Sequence, residues 1–111
     1  MSKRVFITTD TLGRGNDELG GVLMKSLLYT LARQEVPPKA VTLMNGGVRL
    51  ACTGSGSLDD LALLAEKGVA VKACGTCLDF FGLKERLEVG EVGTMPDSVA
   101  ALMADDVLTI G

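Results

Sequence analysis

A chain of 111 residues that is 47% apolar and 23% charged has room for one domain with a core and is too apolar to be disordered. Its net charge of −3, with eleven scattered Lys and Arg, argues against nucleic-acid binding, which needs clustered cations, and no apolar run approaches the ~18 residues of a membrane span. Histidine is absent, which removes Ser-His-Asp and Cys-His nucleophile activation and the commonest metal ligand.

Lys3 and Arg4 are followed by only three apolar residues, Val5 to Ile7, too few for a secretory core, so the expected location is cytoplasmic. Residues 5–9 read as a first strand, β-branched and bounded by a polar loop over 10–16. Asn16 is placed to cap the next helix, with Asp17 and Glu18 in its first turn at the positive dipole end. Leu19, Val22, Leu23, Leu27, Leu28 and Leu31 recur at helical spacing and predict one buried face. Pro37 and Pro38 stop that segment, and residues 40–44 form a second strand ending in the turn-forming Asn45-Gly46-Gly47. Residues 48–52 fit either a short strand or one helical turn. Ser57, with Asp60 three residues on, predicts a capping box opening a helix through Glu66. Gly68 ends that helix, and residues 69–73 are a third core strand. A short helix to about Gly82 follows Cys74-Gly75-Thr76-Cys77. Pro96 falls near the start of a last helix, where its missing N–H costs nothing, and residues 107–110 close the domain as a strand.

Strands alternating with helices predict parallel pairing with right-handed crossovers, hence a single α/β domain over residues 1–111, a three-layer αβα fold with a mostly parallel, flavodoxin-like sheet. Ligands collect at the carboxyl ends of such strands. Three loops share that edge: the one opening at Asp10, the Asn45-Gly46-Gly47 turn, and Cys74 to Cys77.

Cys74 ends a strand and Cys77 lies in the first turn of the next helix, facing unpaired N–H groups and a positive dipole end. Both favour thiolate, the nucleophilic form, and so supply activation without histidine. The competing reading is that both are small buried hydrophobes, which is also the reading preferred for Cys52. Thioredoxin-type redox work fits poorly, because there the pair follows an early strand and faces a cis-proline. A structural zinc site wants four ligands, and three cysteines without histidine do not complete one. The Gly13-Arg14-Gly15 stretch starts like a dinucleotide fingerprint but carries Glu18 where the third glycine belongs. A flavin would lack aromatic stacking partners, since Tyr29 falls within a helix. No cofactor and no metal are expected.

The chain resembles the DsrE/DsrF-like family, and most closely the C-terminal domain of YedF-type selenium-metabolism proteins. The resemblance rests on Met44-Asn45-Gly46-Gly47-Val48, Gly54-Ser55, Lys67-Gly68-Val69, and above all Ala73-Cys74-Gly75-Thr76-Cys77-Leu78-Asp79-Phe80-Phe81-Gly82-Leu83. It implies a flavodoxin-like fold, frequent oligomers, and sulfurtransferase-like chemistry in which a strand-closing cysteine carries sulfur as persulfide, with a glycine eight residues later; Cys74 and Gly82 have that spacing. The relay branches often carry arginine before that glycine, where this chain has Phe81. Full-length YedF-type proteins resemble fusions with an N-terminal sulfur-carrier domain bearing a Cys-Pro motif, whereas this chain begins at its first strand.

The resulting expectation is a sulfur or selenium carrier. Cys74 accepts the chalcogen and Cys77 assists its release, while Asp10, Asn45, Gly46, Gly47, Gly75 and Thr76 form the substrate-binding surround. The resemblance also implies a homo-oligomer, a trimer, with a TusA-like sulfur-carrier protein as partner. A small apolar domain with a marginal lone core points the same way on assembly. Neither nucleic acid nor membrane is an expected partner. The rival expectation is a non-catalytic oligomeric interaction subunit in which the cysteines only pack.

Overall fold

The computed structural model describes residues 3–104 and 106–111. Five strands, β1 (Lys3–Ile7), β2 (Ala40–Leu43), β3 (Ala70–Cys74), β4 (Glu91–Gly93) and β5 (Asp106–Ile110), form one wholly parallel sheet in the order β4-β3-β2-β1-β5. The helices are α1 (Asp17–Ala32), α2 (Leu58–Glu66), α3 (Gly75–Phe80) and α4 (Met95–Ala104), with short 3-10 helices over Asn45–Ala51 and Lys84–Arg86. This is the α/β architecture expected. From β1 to β4 each crossover steps the same way, so right-handedness puts α1, α2 and α3 on one face; the return from β4 to β5 puts α4 on the other.

The sheet register explains the core. Val5, Val41 and Val71 align across three strands, as do Ile7, Leu43 and Ala73, and both rows are buried under α1 and α2. Leu28, Leu61 and Leu64 are fully buried against them, each contributing roughly 2 kcal/mol. The opposite face is half-polar: Arg4 donates to the Thr42 hydroxyl at 3.0 Å, and Lys72 pairs with Glu91.

Asn16 caps α1 as expected, its side-chain oxygen accepting the Leu19 N–H at 2.8 Å. The buried face of α1 differs from the predicted one. It consists of Gly20, Met24, Leu28 and Ala32, while Leu19, Val22 and Leu23 are exposed and Leu27 and Leu31 are half-buried. An i, i+4 row with a glycine at one end lets the helix start approach closely: a Cβ on Gly20 would stand 2.9 Å from Thr11 Cβ. The capping box at Ser57 also does not form. The Ser57 side chain makes no cap, and the buried Asp60 carboxylate pairs at 3.0 Å with Arg33, the residue that follows α1, instead. The ambiguous segment 48–52 becomes 3-10 helix, and β4 is a strand the sequence pattern does not announce.

Candidate functional site at the carboxyl edge

The carboxyl ends of β1, β2 and β3 meet in one place. Asn45 follows β2 with φ of 50°, the left-handed conformation that asparagine tolerates better than most residues. Its turn brings Gly47 beneath β1, where a Cβ would stand 2.3 Å from the Ile7 carbonyl oxygen, so no other residue fits without moving the strand. Beside Gly46, Asp10 Oδ1 and Arg49 Nη1 lie 3.5 and 3.6 Å from where a Cβ would be. The Asn45 N–H points at the third strand's loop and donates to Cys77 Sγ at 3.1 Å.

Cys74 is both the last residue of β3 and the N-cap of α3, and its sulfur accepts the Cys77 N–H at 3.4 Å. This is the acceptor role an N-cap serine plays, performed by sulfur. Cys74 is buried and Cys77 half-buried. Burial pushes the Cys77 thiol above its ordinary range, and a hydrogen bond with the Cys74 side chain adds to this. The Asn45 amide acts the other way by stabilising the thiolate. Each of the two sulfurs therefore faces a backbone donor, the Cys77 N–H at Cys74 and the Asn45 N–H at Cys77.

Of the residues predicted for the site, Asp10, Asn45, Gly46, Gly47, Cys74 and Cys77 are brought to this edge. Gly75 serves packing: a Cβ there would stand 2.9 Å from Val92 of β4. Thr76 is exposed, and its side chain makes no hydrogen bond with the described residues. Two cations that could have assisted the thiols are directed elsewhere. Lys72 pairs with Glu91, and Arg14 lines a separate threonine-rich depression with Thr8 and Thr109.

Arg49 and Phe81 are a pair that sequence reasoning missed. The guanidinium carbon sits 4.1 Å from the Phe81 ring centroid, the geometry of a cation–π contact. The only signal was Arg49 inside the ambiguous 48–52 segment. Cys52 lies apart in the core, its thiol donating to the Val48 carbonyl at 3.2 Å, and burial with the nearby Glu88 carboxylate pushes it upward. Among the described residues no group of three His, Cys, Asp or Glu could hold a metal ion. No helix among them is long and apolar enough to cross a membrane.

Parallel sheet and crossover pattern define a flavodoxin-like α/β domain, with a cysteine-bearing strand end at its carboxyl edge. The same fold occurs in the ychN protein from E. coli, with a TM-score of 0.72 and 24% identity over 98% of this chain and 99% of that one. It also occurs in MTH1491 from Methanobacterium thermoautotrophicum, a protein of unknown function, with a TM-score of 0.68 and 22% identity over 98% and 99% of the two chains. At those identities the likeness concerns the fold. No protein-family model matches the chain, and no curated protein matches it in sequence.

Proposed function

We propose that the protein is a cysteine-based carrier of sulfane sulfur or selenium, of the DsrE/DsrF-like kind that its sequence resembles. The observation that carries this reading is the thiol pair. Cys74 caps α3 through its sulfur, Cys77 is in hydrogen-bond contact with it, and a main-chain donor from Asn45 is fixed on the Cys77 sulfur.

In this reading the Cys74 thiolate attacks the outer sulfur of a donor persulfide. A new S–S bond forms, the donor's S–S bond breaks, and the donor cysteine leaves as thiolate. Release follows two routes. An acceptor thiolate can take the outer sulfur directly, or Cys77 can attack the inner sulfur to form a Cys74–Cys77 disulfide and expel hydrosulfide. The Asn45 N–H favours the thiolate form of Cys77 that this second route needs. Arg49, stacked on Phe81, places a guanidinium near the position where relay branches carry arginine.

Selenium metabolism, a TusA-like protein partner and a cytoplasmic location belong to the same proposal. So does a homo-oligomer, a trimer. It is supported by exposed Leu23, Val36 and Leu108, which line one apolar depression together with Leu27 and Leu31. Light scattering should give a mass above the monomer; monomer mass at all concentrations would remove this part. The carrier chemistry is tested by loading the protein with a persulfide donor and following sulfide release. Wild type should release sulfide and end as disulfide, while Cys77→Ser should load and hold its cargo. Equal release from both would remove Cys77 from the mechanism.

A further inference from the structure

A cavity of about 500 Å³ opens between α1, the Asn45–Ala51 helix, the 52–57 loop and the segment after α3; Cys52 is the cysteine in its lining, and Phe81, whose N–H donates to the Cys77 carbonyl at 3.1 Å, ties its wall to the thiol pair. Its size lies within the range of small-ligand sites. Three charged side chains line it, Asp10, Lys25 and Arg49, and none has an ion-pair partner among the described residues. By contrast, Lys3, Arg33, Lys72 and Lys84 each pair with a carboxylate. Glu88, which hydrogen-bonds Thr53, is not among the lining residues.

The three charges are held in position. Arg49 lies on the Phe81 ring, which leaves its N–H donors free at the edge of the plane. Lys25 is pinned by donating to the Gly56 carbonyl at 2.8 Å and keeps further donors. Asp10 Oδ1 and Arg49 Nη1 both face Gly46, the residue after Asn45 whose N–H donates to Cys77 Sγ, so a carboxylate and a guanidinium stand together there. The Ser55 hydroxyl, whose oxygen already accepts the Ser57 N–H, has its proton available to the cavity.

Adjacent carboxylate and guanidinium groups match an ammonium and a carboxylate on one carbon, the signature of an α-amino acid. Lys25 then calls for a second carboxylate farther along. We infer that this cavity binds a short peptide thiol with an α-amino acid end and a second carboxylate, that is, a ligand of net charge −1 against a lining of +1. The inference rests on the carrier reading for its purpose: the bound thiol is the low-molecular-weight acceptor. Its thiolate attacks the outer sulfur of the cysteine persulfide, a new S–S bond forms, and the bond to Cys74 breaks. Cys74 leaves as thiolate and the ligand departs as a perthiol, with no outside oxidant or reductant.

The test is calorimetric titration of the full chain with reduced glutathione, using Cys74→Ser/Cys77→Ser so that no exchange chemistry contributes. One-to-one binding is expected, about tenfold weaker in each of Arg49→Gln, Lys25→Gln and Asp10→Asn, as loss of a charge-assisted contact implies. Glutarate, which lacks the ammonium, should bind more weakly and be indifferent to Asp10→Asn. All three side chains are at least partly exposed, and circular dichroism should show these variants folded. Absence of binding at millimolar glutathione, or binding unchanged by Arg49→Gln and Asp10→Asn, overturns the inference. Intact binding in a protein that never loads persulfide would instead count against the carrier reading and leave the ligand assignment standing.

Discussion

Cys52 and Cys77 are both pushed upward by burial, yet they sit in opposite hydrogen-bonding roles. The Cys52 thiol donates, to the Val48 carbonyl, and an acceptor facing sulfur stabilises the protonated form. The Cys77 sulfur accepts, from the Asn45 N–H, and a donor facing sulfur stabilises the thiolate. Cys74 shares the acceptor role toward the Cys77 N–H. What separates Cys52 from Cys77 here is the direction of one hydrogen bond, set by whether the chain presents a helix carbonyl or a turn amide.

The largest consequence is in reactivity. Native-state alkylation should modify Cys74 or Cys77 orders of magnitude faster than Cys52, because Cys52 is 1% exposed and must await unfolding. Peptide mapping after a short iodoacetamide pulse reads this directly, and comparable labelling of all three would erase the distinction.

Next in size is the turn that supplies the donor. Gly47→Ala would drive a Cβ into the Ile7 carbonyl, and it should cost about 1–3 kcal/mol in denaturant unfolding. It should also change the relative labelling of Cys77 against Cys74 as the Asn45 N–H moves. A variant that loses stability without altering that ratio would show that the amide has no bearing on the thiol.

Smaller still is the packing contrast. Cys52→Ala should cost about 1 kcal/mol from lost burial in the core, and Cys77→Ala about half that or less. A reversed order in unfolding experiments would mean that the site sulfur contributes more to the fold than the core one does.

The smallest effect is in pH. A raised folded-state pKa means that the folded protein holds its thiol protons more tightly than the unfolded chain does. The contribution of Cys52 and Cys77 is therefore complete below the ordinary thiol range, about 8.5. It declines as pH rises through that range toward their raised folded values, because the unfolded chain ionises first. Replacing Cys52 by alanine should flatten this alkaline decline; an unchanged slope would assign it to other groups.

Much of the fold was legible because its signals are local. Asn16 before an acidic first turn, Asn45-Gly46-Gly47 after an apolar strand, and alternating strands and helices led to a parallel sheet with three converging loops. The misreadings are all non-local. Asp60 looks like half of a capping box until Arg33, at the end of α1, takes its carboxylate. The α1 face could not be assigned from leucines alone, since Gly20 and Ala32 earn burial by being small. β4 has three residues and exists because β3 offers an edge to pair with. Arg49 gains meaning only from Phe81, brought to it by the packing of α3 on the 3-10 helix.

The most direct measurement is intact-mass analysis with peptide mapping after incubation with a cysteine-persulfide donor, with a parallel arm using selenite and thiol. The account predicts one added sulfur or selenium atom on Cys77→Ser, located on Cys74 and retained when Cys52→Ala is added, a Cys74–Cys77 disulfide on wild type, and no adduct on Cys74→Ser. No adduct on Cys77→Ser together with reduced thiols on wild type, an adduct on Cys52, or one that survives in Cys74→Ser would contradict it, and the edge would then be a binding surface whose cysteines only pack.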